Sequence, residues 1–227
     1  MASNKDTQEE SGFYGKEANV DAPHHEKLQR FYTPRPVEVT RADYDDWAQE
    51  YDKDTAQSSG YCAPQEVAKL IAQQASSPDQ KVVDLGCGTG QLGAELAKLG
   101  HRNVEGWDLS PGMLKVAAAT GAYQGLHEID LTKSLPFQPG SQELMASVGV
   151  YGPGVVGPEH LELLVAPLCV GGLSVHSING LSWRKRPFGQ ALQALVDDGQ
   201  VKVLHQHWAP YIRNENIDGL YIVLQKY

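Results

Sequence analysis

Apolar side chains recur along this chain with two periods, and the alternation between them marks out its elements. Val82, Val83 and Leu85 form a short apolar run bounded by polar residues, the pattern of a buried strand. Residues 91–99 instead carry Leu92, Leu96 and Leu99 at helical spacing, stopped by Gly100. A second strand is predicted over 103–108. Ser110 then caps, and Pro111 opens, a helix through Met113 and Leu114 to about residue 120. A third strand follows over 125–130 and a fourth over 143–150. Next come a helix over 159–168 with Leu161, Leu164 and Val165 inward, a Gly171-Gly172 turn and a fifth strand over 173–178. A helix over 188–196 and two strands, 201–208 and 219–224, close the chain as a hairpin. Strands alternating with helices predict an α/β domain with a largely parallel sheet.

The N-terminal part reads differently. Residues 1–23 are polar and acidic, too poor in apolar side chains to offset the entropy of ordering, and are expected to be a mobile tail. A short helix fits 24–32, ended by Thr33-Pro34-Arg35-Pro36. Within 41–52, Tyr44, Trp47 and Tyr51 fall at i, i+3 and i+7 and so share one face of a helix, either as core packing or as a cover over a site. Pro64 opens a further helix with Val67, Leu70 and Ile71 on one side. The expected organisation is an extension over 1–40 and one domain over 41–227. That domain divides into 41–73, a cover and first helix; 80–180, a nucleotide-binding core; and 181–227, the closure of the sheet.

Charge narrows the partners. A formal net charge of −9 argues against a broad basic face for nucleic acid. Cys62, Cys87 and Cys169 lie far apart with no C-x-x-C pair, which suggests neither a zinc site nor a disulfide framework and fits a reducing, cytoplasmic setting. No apolar stretch approaches the roughly 18 residues of a membrane span. A soluble protein with no membrane association is expected, and no oligomeric state is implied.

The chemistry concentrates after the first strand, where Asp84-Leu85-Gly86-Cys87-Gly88-Thr89-Gly90 places glycines at alternate positions before a helix N-terminus. Such a turn lets a ligand approach the backbone and favours negative charge. From Gly88, the stretch through Gly93 satisfies G-x-G-x-x-G, the dinucleotide pattern; counted from Gly86, the first residue after the strand, the third glycine is missing. Asp108 lies about 20 residues beyond the loop, where nucleotide-binding units place a carboxylate against ribose hydroxyls.

Val82-Val83-Asp84-Leu85-Gly86-Cys87-Gly88-Thr89-Gly90 resembles motif I of the class I S-adenosylmethionine methyltransferases. Tyr44-Asp45-Asp46-Trp47-Ala48-Gln49-Glu50-Tyr51-Asp52 resembles the segment that covers the cofactor in many small-molecule members. Over about 41–227 the layout looks most like the Williams-Beuren region methyltransferase-like proteins and their ubiquinone-methyltransferase-like relatives. The resemblance implies a Rossmann-like sheet of seven strands with an antiparallel last strand and helices on both faces, with S-adenosyl-L-methionine as cofactor. It implies that Asp84, Gly86 and Gly88 face the methionine end, with Tyr51 covering it. Asp108-Leu109 would meet the ribose and Asp130-Leu131 the adenine, with Met113 and Val148 as apolar contacts. Asp130 reads equally as a strand-end acid, and Met113 and Val148 equally as core.

Methyl transfer needs positioning more than a fixed base. Tyr151 and His160 are the catalytic candidates near strand ends, and His176 reads as a strand histidine with a satisfied partner. His205 and His207 alternate on one strand face without a third ligand, so no metal site is assigned. No Asn/Asp-Pro-Pro-Tyr/Phe follows the fourth strand and no Pro-Cys nucleophile is present, which points to a small-molecule acceptor. Two other readings compete: an NAD(P)-linked oxidoreductase built on the literal glycine pattern, and a cofactor-binding protein without transfer activity.

Overall fold

The computed structural model describes residues 35–152 and 155–227. The expected tail over 1–23 and helix over 24–32 lie outside the described residues. Seven strands form one sheet: β1 (Val82–Leu85), β2 (Val104–Asp108), β3 (Gly125–Glu128), β4 (Gln142–Val148), β5 (Leu168–Asn179), β6 (Val201–Ile212) and β7 (Ile217–Lys226). Their order is β3-β2-β1-β4-β5-β7-β6, with β7 antiparallel to both β5 and β6 and the other pairings parallel. Helices cover both faces: α1 (Val37–Trp47), α2 (Ala63–Gln74), α3 (Gln91–Lys98), α4 (Pro111–Ala119), α5 (Leu161–Val165), α6 (Gly180–Lys185) and α7 (Phe188–Asp197).

Strand alternation sorts the core. Val83, Leu85, Met145, Ile178 and Ile222 pack on the side of α5 and α7, whereas Val82, Leu144, Ala146, Val175 and Val223 pack on the side of α2 and α3. A sheet clothed on both faces needs apolar residues at successive strand positions, which is why β1 reads as an unbroken run. Strand order turns back between β1 and β4, so the loops after these strands leave the sheet side by side; a crevice at such a switch point is where open α/β sheets hold ligands.

Several elements differ from expectation. The aromatic stripe does not ride on one helix. α1 starts at Val37, directly after Pro36, and ends at Trp47; the chain turns over residues 48–50 and then widens into a π-helix, Lys53–Ser59. Tyr51 therefore stands beyond α1. The three rings still cluster, with centroids 4.7 Å apart for Trp47 and Tyr51 and 6.5 Å for Tyr44 and Trp47.

Gly171-Gly172 lies inside β5. Gln142 pairs with Leu168 but Leu144 with Leu173, so β5 loops out between them, with Gly171 at φ 81°. The helix before it shrinks accordingly to α5, preceded by a 3-10 turn, Pro158–His160. β3 stops at Glu128 and β4 at Val148, earlier than their apolar runs suggest. The short helix α6 was not expected; Asn179 caps it, its Oδ1 accepting from the Leu181 amide at 2.8 Å. β6 runs on through Pro210, which an edge strand tolerates because its outer side needs no donor.

Candidate functional site

The loop after β1 is held from β2. Trp107 carbonyl accepts from the Gly86 amide at 2.6 Å and the Cys87 amide at 3.0 Å, and Asp108 Oδ2 accepts from the Gly88 amide at 2.9 Å. Two glycines are required here for different reasons. At Gly86, φ is 72° and a Cβ would sit 2.0 Å from Val150 Cγ1. At Gly88, φ is 55° and a Cβ would meet nothing within 4 Å, so the backbone stands open to the crevice.

Asp84, at 1% exposure, ends β1 beneath this loop. Its Oδ2 accepts from Tyr123 Oη at 2.7 Å, while its Oδ1 is buried without a partner. Burial pushes its carboxyl up to about 7, opposed by the Tyr123 hydrogen bond and reinforced by nearby Asp108. An orphaned, half-titrated carboxylate oxygen in such a place calls for a cationic donor. Burial also raises the Asp108 carboxyl, against amides of Ser110, Gly88 and Leu109. Two of those amides fix its oxygens, Ser110 onto Oδ1 at 2.9 Å and Gly88 onto Oδ2.

Two cavities meet over these residues. The first has an empty volume of about 730 Å³ and is bounded by Gly86, Gly88, Asp108 and Leu109 from the first two loops, with Met113 of α4, Asp130, Leu131, Val148 and Tyr51 completing it. Asp84 lines a smaller adjoining hollow shared with Tyr51, Gly86 and Gly88. Ten sequence-stretch candidates for cofactor contact thus come together around one crevice. Asp130 is already engaged: its Oδ1 accepts from the Thr132 amide at 3.0 Å and Thr132 Oγ1 at 2.6 Å, and Lys133 pairs with Oδ2 at 2.9 Å. Partial burial would raise this carboxyl, but those bonds from Thr132 and Lys133 outweigh it and hold it below the ordinary value.

The second cavity, with about 680 Å³ of empty volume, is a chamber of rings: Tyr44, Trp47, Tyr51, Tyr61, Tyr151 and Tyr211 all line it. Tyr44, Tyr51, Gly149 and Val155 border both cavities. Gly149, at φ 77°, is where a Cβ would come within 2.7 Å of Tyr61 Oη. Tyr151 sits deep, at 3% exposure; its hydroxyl lies 2.8 Å from His176 Nδ1 and accepts from Ser147 Oγ at 3.2 Å. Burial raises the Tyr151 phenol and lowers His176 to about 4, so at neutral pH both are uncharged.

The structure does not bring His160 to either cavity. It belongs to the 3-10 turn before α5, where its Nδ1 accepts from the Gly157 amide at 3.0 Å, so that ring nitrogen is used to shape the turn. His205 and His207 do meet, Nε2 to Nδ1 at 2.9 Å, on edge strand β6; among the described residues no group of three or more His, Cys, Asp or Glu is arranged to hold a metal ion.

Sequence reasoning missed two aspartates that dock the covering segment. Asp45 Oδ1 accepts from Ser110 Oγ at 2.5 Å and the Gly112 amide at 2.8 Å, at the N-terminus of α4. Asp52 Oδ1 accepts from Thr89 Oγ1 at 2.5 Å and Gln91 Nε2 at 2.7 Å, at the glycine loop. Their position beside Tyr44 and Tyr51 was the available signal. Tyr61, Asn179, Ser182 and Tyr211 were also missed, because nothing local marks residues gathered from three separate segments.

Residues 82–162 match the family model described as a methyltransferase domain. Over these residues the chain is similar to methyltransferase domains, and its sheet has the class I fold. Methyltransferase-like protein 27 of Homo sapiens is 37% identical over 116 residues, 50% of this chain and 47% of that protein, so the alignment spans about half of each. Among solved structures, a TehB-like SAM-dependent methyltransferase from Corynebacterium glutamicum aligns with TM-score 0.58 at 22% identity, over 82% of this chain and 99% of that one. The 1,6-didemethyltoxoflavin-N1-methyltransferase of Burkholderia thailandensis, with 1,6-didemethyltoxoflavin and S-adenosylhomocysteine bound, aligns with TM-score 0.59 at 15% identity, over 85% of this chain and 90% of that one. Both likenesses speak for the methyltransferase domain's fold. No helix among the described residues is long and apolar enough to cross a membrane.

Proposed function

We propose that this protein transfers a methyl group from S-adenosylmethionine to a small molecule. The observation that carries the reading is the β1 crevice: a glycine loop with open backbone at Gly88, a buried Asp84 oxygen lacking a donor, and an Asp108 carboxylate held in place by two amides. These groups suit an ammonium, a thioether-bearing chain and ribose hydroxyls, and the apolar wall of Met113, Leu131 and Val148 suits an adenine. When bound, S-adenosylmethionine supplies a methyl on a sulfonium whose sulfur leaves uncharged.

The residues of this chain then serve chiefly to position. Asp84 and Asp108 orient the two polar ends, Tyr51 covers the crevice, and Tyr151 offers a neutral hydroxyl to the acceptor in the adjoining chamber. A small acceptor is favoured because the chamber is a few hundred cubic ångströms and, among the described residues, carries no basic side chain for a polyanion. The acidic net charge supports the same choice, and three cysteines far apart without a C-x-x-C pair support a cytoplasmic setting.

Calorimetric titration tests the reading. S-adenosylmethionine and S-adenosylhomocysteine are expected to bind in the micromolar range, about −7 to −8 kcal/mol, and NAD and NADP not measurably. NAD binding without S-adenosylmethionine binding would overturn it in favour of an oxidoreductase.

A further inference from the structure

The chamber beside the crevice has a chemical bias that the crevice lacks. Its lining is six aromatic rings with the small or neutral residues Thr55, Ser59, Gly149, Asn179 and Ser182 among them, and no charged side chain among the described residues. We propose that this chamber takes an amine as the methyl acceptor and holds the methylated ammonium against its aromatic faces. The inference rests on the methyl-transfer reading above and specifies its substrate class.

Three observations select an amine. First, the rings are fixed by one another: Trp47 meets Tyr51 edge to face at 4.7 Å, and Tyr61 lies 5.3 Å from Tyr211. Trp47, Tyr151 and Tyr211 are largely withdrawn from water, at 7%, 3% and 4% exposure, and a dry ring face attracts a cation more strongly than a wet one. Second, Asp54 Oδ2 accepts from Trp47 Nε1 at 2.7 Å, placing an anion against the edge of the indole and making its face a better seat for positive charge. Third, among the described residues the chamber's lining supplies no cation for an anionic acceptor. Arg186, which reaches Gly152 of the lining, is committed, Nη1 to the Gly152 carbonyl at 2.9 Å and Nη2 to Glu159 at 2.8 Å.

The electron balance agrees. The lone pair of a neutral amine forms the new N–C bond while the C–S bond breaks and its electron pair stays on sulfur; the positive charge passes from sulfur to nitrogen, and no proton need leave within the chamber. The amine sheds its own proton to solvent before entry, and the product ammonium carries its charge out. A phenol acceptor would need a base within the chamber. Tyr51, Tyr61, Tyr151 and Tyr211 are all raised by burial and His176 behind Tyr151 is lowered, so none takes a proton readily at neutral pH.

The test uses the full chain with S-adenosylhomocysteine bound and measures, by calorimetry, choline against its uncharged carbon isostere 3,3-dimethylbutan-1-ol. Choline is expected to bind about tenfold tighter or more, the scale of one or two desolvated cation–π contacts. Trp47→Phe, which keeps the packing but loses the indole and its Asp54 partner, should lower choline affinity severalfold and leave the alcohol unchanged. In turnover with S-adenosylmethionine, 2-phenylethylamine should be methylated, and 4-ethylphenol and 3-phenylpropanoate should not. Equal binding of the isosteres, binding of neither, or faster methylation of the phenol or the carboxylate would overturn the proposal. Failure of S-adenosylhomocysteine itself to bind would instead overturn the underlying reading.

Discussion

The two cavities that meet at Tyr51 and Gly149 are built in opposite ways. The crevice is made largely by loops that follow β1, β2 and β4, so its walls are backbone and short side chains whose positions are set by strand register. The aromatic chamber draws on residues from Tyr44 to Ile212, and its shape depends on rings packed against rings across the whole length of the domain. The contrast teaches that the crevice, the proposed cofactor half, is a local property of the sequence, whereas the chamber, the proposed acceptor half, is a tertiary one. Perturbations should accordingly separate them.

The largest effect is expected at Asp84. Its carboxyl is pushed up to about 7 when folded, against about 3.9 unfolded, so the folded state binds the extra proton. The contribution to apo stability is present below pH 4 and is lost as pH rises through 7. Asp84→Asn keeps an acceptor for Tyr123 and removes the charge. Denaturant titration should find it more stable than wild type by about 2 to 4 kcal/mol at pH 8 and equal to it near pH 4. Cofactor binding should show the reverse: wild-type affinity for S-adenosylhomocysteine rises between pH 6 and 8 as the carboxylate forms, and the variant loses that slope. A flat wild-type profile would detach Asp84 from the ligand.

Asp108→Ala is next. Truncation removes the acceptor for the Gly88 and Ser110 amides together with that for ligand hydroxyls. Calorimetry should find S-adenosylmethionine weakened by about 2 to 3 kcal/mol. Tyr151→Phe, in the chamber alone, should leave cofactor affinity within error and lower turnover. Loss of cofactor affinity in Tyr151→Phe would mean that the two cavities are one site.

The same contrast explains what was legible from sequence. The seven strands and the largely parallel sheet follow from apolar runs and turn residues, the antiparallel last strand was implied by the resemblance to class I methyltransferases, and the glycine loop and Asp108 were marked by their spacing along one β-loop-α unit. Helix ends were less legible, because tertiary contacts decided them: α1 breaks after Trp47 so that Asp52 reaches Thr89 and Gln91, and β5 absorbs Gly171-Gly172 through a bulge paired to β4. His160 lines neither cavity, because proximity to a strand end in sequence does not fix which way a 3-10 turn points its ring. Tyr61 and Tyr211 carried no signal at all, since a pair about 150 residues apart is joined only by the fold.

The smallest effect is also the one that couples both cavities. The covering segment, α1 with the turn and π-helix after it, supplies Tyr44 and Tyr51 to both, and Asp45 latches it to Ser110 and Gly112. Asp45→Ala removes two hydrogen bonds to a carboxylate at a helix N-terminus, of which solvent replaces part, so about 1 kcal/mol is expected. A segment held by few contacts opens before the core does, so that loss should appear as local opening. Amide exchange over 37–56 should accelerate severalfold in the variant while that of α2 stays fixed, and S-adenosylhomocysteine should restore slow exchange. S-adenosylhomocysteine and choline should both weaken by the same few-fold factor, because both depend on the closed segment. If instead Asp45→Ala lowers the melting temperature by many degrees and speeds exchange in α2, Tyr44, Trp47 and Tyr51 are core. If only one of the two ligands weakens, the cavities do not share their cover.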